Sequence, residues 1–120
     1  MKVFTKDGKI NFIDDNNVVL GYDLNQGCCE SADWFISNKV APVLKVRSTD
    51  NPRLTGWVFD TSYFLGDLKC ESLDGGGMAV FRITKDDKEK FIHLYNCQNG
   101  YYGHGFDFQV GEDTVQHGVL

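Results

Sequence analysis

The sequence lacks most of the features that would assign a function on sight. It has no run of basic residues. Its densest charged stretch, Lys85-Asp86-Asp87-Lys88-Glu89-Lys90, mixes both signs and reads as a solvated hairpin tip. Direct nucleic-acid binding relies on clustered cations that displace counterions. The formal charge of −5, from 17 acidic and 12 basic residues, argues against that partner. No apolar run is long enough to span a bilayer. The opening Met1-Lys2-Val3-Phe4-Thr5-Lys6-Asp7-Gly8 has no signal-peptide core. The expected location is therefore the cytoplasm, with no membrane partner, and thiols there stay reduced. Catalytic signatures are missing as well: no Gly-x-Ser-x-Gly, phosphate loop, dinucleotide fingerprint or His-Glu-x-x-His occurs. Asp74-Gly75-Gly76-Gly77 is no phosphate loop, because no helical pattern follows it.

What is present describes a folded domain. The chain has 120 residues, read as one domain over 1–120, with 42% hydrophobic and 24% charged residues. Short β-favouring runs alternate with turn signals. Lys9 to Asp14 and Val18 to Leu24 flank Asp15-Asn16-Asn17. Gly56 to Leu65 is rich in aromatic and β-branched residues. Asp67 to Leu73 and Met78 to Thr84 flank the glycine-rich turn, Lys90 to Asn96 follows Asp86-Asp87, and Phe106 to Val110 alternates. Alternation places Ala79, Phe81 and Ile83 on one face and Val80, Arg82 and Thr84 on the other. It likewise groups Ile92 with Leu94, sets Phe91, His93, Tyr95 and Cys97 opposite, and groups Phe106, Phe108 and Val110 against Asp107 and Gln109. The tail 111–120 is polar, with weak periodicity, and is expected to fray.

One segment reads as helix. Cys28, Ala32, Phe35 and Ile36 fall at i, i+4, i+7 and i+8, which predicts a short helix over Gly27 to Ser37. The expected fold class is α+β: a single twisted antiparallel β-sheet, meander-like, with that helix packed on it. On the helix, Cys28 falls on the buried stripe and Cys29 points more outward. Glu30 and Asp33 lie in the first turn, where the helix dipole favours negative charge.

The segment richest in chemistry is Asn96 to Phe106. Asn99-Gly100 is a strong turn dipeptide, and Gly103 and Gly105 bracket His104. Tyr101 and Tyr102 point to opposite sides of an extended chain, so one of them is placed on the surface. The region offers two chemical readings. Cys28, Cys29, Cys97 and His104 are zinc-ligand types, but no Cys-x2-Cys or His-x3-His spacing occurs, and no metal or other cofactor is expected. Cys29 or Cys97 with His104 and Asn96 or Asn99 would imitate a cysteine nucleophile, but the residues are few and scattered. No catalytic residue is assigned. His93 reads as a sheet-face residue, and His117 lies in the polar tail.

Gly21-Tyr22-Asp23, Cys28-Cys29-Glu30 and Trp34, followed by Asn96-x-x-Asn99-Gly100-Tyr101-Tyr102-x-His104-Gly105-Phe106, resemble a family of small uncharacterised domains of bacteriophages and bacteria. The resemblance runs from Ile10 to Phe108. It implies that the Cys-Cys-Glu and Asn-Gly-Tyr-Tyr segments meet in space, with His104 or Asn96 positioned to hydrogen-bond Glu30. A phage setting implies a protein that binds and blocks a host or defence component. The expected function is thus non-catalytic binding and inhibition through an acidic, tyrosine-bearing surface, with Glu30, Trp34, Tyr101, Tyr102 and His104 as binding residues. A nucleotide or signalling-molecule sponge is the alternative, although only Arg47, Arg53 and Arg82 are at hand to hold phosphates; a cysteine-dependent hydrolase ranks third. The free edges of a small sheet invite homodimerisation.

Overall fold

The computed structural model describes residues 1–24, 32–40, 53–69, 77–96 and 104–120, with the side chains of 67–69 excepted. Nine strands are present among the described residues: β1 (Lys2–Lys6), β2 (Lys9–Ile13), β3 (Val18–Asp23), β4 (Ala32–Ser37), β5 (Val58–Lys69), β6 (Gly77–Lys85), β7 (Lys88–Asn96), β8 (Gly105–Val110) and β9 (Asp113–Val119). They form two antiparallel sheets, one ordered β1-β2-β3-β8-β9 and the other β4-β7-β6-β5. Among the described residues there is no helix, and hence none long and apolar enough to cross a membrane. The described fold is all-β and in two sheets, which corrects the expected α+β single sheet with a packed helix.

The two sheets face each other, because each alternating strand turns one apolar row inward. From the first sheet come Ile10, Phe12, Val18, Leu20, Tyr22, Phe106 and Phe108; from the second come Phe59, Ala79, Phe81, Ile83, Ile92 and Leu94. Aromatic rings interlock across the gap: Phe108 meets Phe59 at 5.1 Å and Phe81 at 4.9 Å between centroids. Polar ties cross it too. The Tyr22 hydroxyl donates to the Tyr95 carbonyl at 2.9 Å. Asp14, buried at the β2–β3 turn, accepts the amides of Asn16 and Val18 on one oxygen and that of Phe59 on the other, at 2.9, 2.9 and 2.8 Å.

The predicted helix fails at β4. Residues 32–37 are extended and pair with β7, from Ala32↔Asn96 to Ser37↔Phe91. Residues 27–31 lie outside the described set. The helical spacing arose because this strand is apolar on both sides. Ala32, Trp34 and Ile36 pack on the inter-sheet core. Phe35 turns the other way and stacks on His93 of β7, with centroids 4.0 Å apart and rings 11° from parallel. A second cluster, Met78, Val80 and Phe91 with Tyr63, Leu65 and Tyr95, shares that outer face. Two buried faces erase the period-2 signal that marks a half-buried strand.

The remaining strands follow the pattern of their residues more closely. β2 and β3 keep their predicted hairpin, with Asn17 at a positive φ of 64° in the turn. β5 runs through the stretch split in two by sequence reading, with register shifts between Phe59/Phe64 and Leu65/Leu68. The tail expected to fray contains β9, which pairs with β8 from Gly105↔Val119 to Val110↔Asp113.

Candidate functional site

His104 is the binding candidate on which the structure is most specific. It is buried, not presented to solvent. Its Nδ1 lies 2.7 Å from the Asp23 carbonyl oxygen, so that nitrogen carries the proton and donates. Its backbone exchanges two hydrogen bonds with Leu120, at 3.0 and 2.9 Å. His104 thereby fastens the end of β3 to the start of β8 and the end of β9. Asn96 Nδ2 donates to the same Leu120 carbonyl at 3.3 Å. Trp34 is half-buried and meets Phe12 edge-on, with centroids 5.1 Å apart at 87°, so most of its ring serves the core. Glu30, Tyr101 and Tyr102 lie outside the described residues, as do Cys28, Cys29 and Cys97. The expected hydrogen bond to Glu30 therefore falls outside the described set as well.

The surface feature that sequence reasoning passed over is the outer face of the first sheet. Two tripeptides of the same form, Gly21-Tyr22-Asp23 and Gly105-Phe106-Asp107, lie antiparallel on β3 and β8. Tyr22 faces Phe106 and both rings enter the core. The flanking residues must then point outward. Gly21 sits opposite Asp107, and the same register carried one residue on sets Asp23 beside Gly105. Lys9, paired with Asp23 on β2, crosses the bare backbone of Gly21 to reach Asp107 at 3.2 Å. A Cβ placed on Gly21 would lie 2.5 Å from Lys9 Cε, so the glycine makes room for the lysine.

Gly105 plays a different part. A Cβ there would meet only the Gly118 carbonyl, at 3.9 Å. Its missing side chain leaves a depression in the sheet surface, the kind of place where another molecule's backbone or side chain can approach closely. The resulting cavity of about 380 Å³ is lined by Asp7, Lys9, Asp23, Asp107 and His117, with Gly105, Phe106, Gly118 and Val119. Among the described lining residues three carboxylates stand against one ammonium, and that ammonium is paired with Asp107. The formal charge of this described lining is negative. The sequence signal for this face was the repeated Gly-aromatic-Asp tripeptide. It becomes readable only once β3 is known to pair with β8.

Residues 1–108 match the family model described as a domain of unknown function, DUF7448. The chain belongs to this family. No curated protein and no solved structure matches it. The DUF7448 stretch contains Asp7, Lys9, Asp23 and Asp107, and so most of the cavity. It ends within β8; His117 and Val119, on the remaining wall, come from β9 beyond the matched residues.

Proposed function

We propose that this DUF7448 protein is a small non-catalytic binding protein whose acidic outer sheet face receives a cationic side chain, lysine or arginine, from a protein partner. The observation that carries the reading is the Gly105 depression, ringed by Asp7, Asp23 and Asp107. A cation entering it gains attraction from fixed carboxylates without requiring them to be gathered, and the overall charge of −5 steers a basic partner toward the molecule. The resemblance to phage and bacterial domains makes a host or defence protein the partner class, with inhibition following from occupancy of its basic face. Phosphate ligands suit this cavity poorly, because like charges repel. Arg82, counted among the few cations for a nucleotide, is tied to Asp60 and lies 3.4 Å from Glu89.

The decisive variant is Gly105→Leu. The space above Gly105 is open, so the added side chain fills the depression while the fold and its melting temperature stay as they are. Calorimetric titration with an oligolysine peptide is expected to show salt-sensitive binding by the wild type and none by Gly105→Leu. Asp23→Asn with Asp107→Asn removes two half-buried charges at the surface, worth up to about 1 kcal/mol each, a weakening of roughly 5- to 30-fold. A wild-type protein that ignores the peptide at low salt, or a Gly105→Leu protein that binds it unchanged, rejects the reading.

A further inference from the structure

We propose that the partner offers its cation on an extended segment that adds to the edge of β9 and alternates a cationic residue with an apolar one. The inference deepens the cationic-ligand reading and rests on it. β9 is the last strand of the first sheet, and among the described residues no strand pairs with its outer edge. His104 and Leu120 exchange both backbone hydrogen bonds, which makes them a bonded pair. Such pairs alternate with non-bonded ones along an antiparallel ladder. Phe106↔Gly118 is therefore bonded inward, and Gly105↔Val119 and Asp107↔His117 are not. The N–H and C=O groups of His117 and Val119 point away from the sheet, where the backbone of an added strand would meet them.

What selects the strand is the chemistry on the two sides of this edge. On the outer face lies the acidic depression at Gly105, with His117 and Val119 on its β9 side. A second cavity, of about 270 Å³, lies on the inner side, between β9 and the edge strand of the other sheet, β5. Phe64, Gly66 and Ala79 line it from the second sheet, and Phe106, Gly118 and Leu120 from the first. Its described lining carries no carboxylate, lysine or arginine. The Phe64 and Phe106 rings stand 6.0 Å apart between centroids. Gly118 belongs to both linings, and a Cβ on it would lie 3.0 Å from the Phe106 ring, so its bare backbone lets that ring lie against β9.

Successive residues of a strand point to opposite faces, and residues directly across a ladder share a face. A residue added opposite Gly118 turns its side chain to the inner cleft. Its neighbours, opposite His117 and Val119, turn theirs to the outer face, on the side of Asp107 and Asp23. The first position suits an aromatic or aliphatic side chain, and the second a lysine or arginine. This holds whichever way the incoming strand runs. Neither edge of the first sheet of a second copy supplies the pattern. β9 has no lysine or arginine, and β1, which has Lys2 and Lys6, already packs its inward Val3 on its own core.

Calorimetric titration with two peptides of one composition tests the proposal. In acetyl-Thr-Lys-Phe-Thr-Thr-amide the lysine and phenylalanine are neighbours and face opposite sides of a strand; in acetyl-Thr-Lys-Thr-Phe-Thr-amide they are two apart and share a side. The wild type is expected to bind the first at least about tenfold more tightly, the contribution of one buried aromatic side chain. At saturation the His117 and Val119 amides should exchange with solvent more slowly. Leu120→Trp, which fills the inner cleft, should remove the preference between the peptides and leave oligolysine binding as it is. Gly105→Leu should lose both the preference and oligolysine binding. Equal affinity for the two peptides, with oligolysine still bound, overturns the strand proposal and spares the cationic-ligand reading. A wild type that binds no oligolysine overturns both. A preference without protection of the His117 and Val119 amides shows docking of side chains without strand addition, and overturns the proposal too. A chain that self-associates with rising concentration, and no longer does so as Lys2→Glu, would assign the edge to a second copy and overturn it as well.

Discussion

Asp14 shows how much one side chain can organise. Its neighbours Asp15-Asn16-Asn17 mark a turn in the sequence, and aspartate at such a place commonly holds local amides. The Asn16 and Val18 amides meet that expectation. The third, from Phe59, does not follow from the local sequence, because its donor belongs to the other sheet. Asp14→Ala would strand three amide donors, two of them buried, and hydrogen bonds to a carboxylate contribute about 1.5–3 kcal/mol each before partial replacement by water. The expected loss in urea-unfolding free energy is about 3 kcal/mol. Asp14→Asn keeps one acceptor oxygen and should cost less. If Asp14→Ala unfolds at the wild-type urea midpoint, the turn is not a structural tie. His104 and Trp34 teach a related lesson. Both stood out as candidate contacts because of residue type, and both are spent largely inside the molecule.

At the scale of single strands, the β4–β7 pair carries the clearest pH dependence. His93 is fully buried between its stack with Phe35 and the Phe91 carbonyl, which lies 3.1 Å from Nδ1. Burial penalises the imidazolium and pushes the pKa down to about 4, against partial relief from the backbone carbonyls. The unfolded chain then takes up a proton near pH 6.5 that the folded chain refuses until about 4. The neutral form's stabilisation is complete above pH 6.5 and is lost progressively as the pH falls to about 4, up to roughly 3 kcal/mol. His93→Phe should flatten that part of the stability profile, as read from urea midpoints between pH 7.5 and 4; an unchanged slope would place the pH sensitivity elsewhere. The same pair marks the limit of what the sequence could tell. β2, β3 and β8 were legible because each has one apolar face and a turn signal beside it; β6 and β7, apolar on both faces, were legible from the turn signals that bound them. β4 was not, since its buried Phe35 and partly buried Ile36 pack in opposite directions and no turn signal separates strand from helix there. β9 was not, since an edge strand with exposed residues has no apolar face to display.

For the whole molecule, the division into two sheets was hidden by distance along the chain. Consecutive hairpins suggest one meander, yet β3 takes β8 as its neighbour, from Val18↔Val110 to Tyr22↔Phe106. Nothing local in either strand names the other. Pairings of this kind must meet their closure entropy before contacts form, whereas β6 and β7 meet through the short turn between Lys85 and Lys88. Pulsed hydrogen exchange during refolding should therefore protect the amides of Phe81 and Ile92 before those of Gly21 and Asp107, which alternate into the β3–β8 ladder. Simultaneous protection of all four would show that the sheets form as one unit. The long reach of the His104–Asp23 contact has a further consequence during synthesis. The two residues are 81 positions apart, and at about 5–20 residues per second the ribosome delivers His104 about 4 to 16 s after Asp23. Through that interval a nascent β3 has its β8-facing edge open and Leu20 and Tyr22 uncovered by their eventual neighbour. On a crowded polysome, adjacent unfinished chains are then the nearest competitors for that edge.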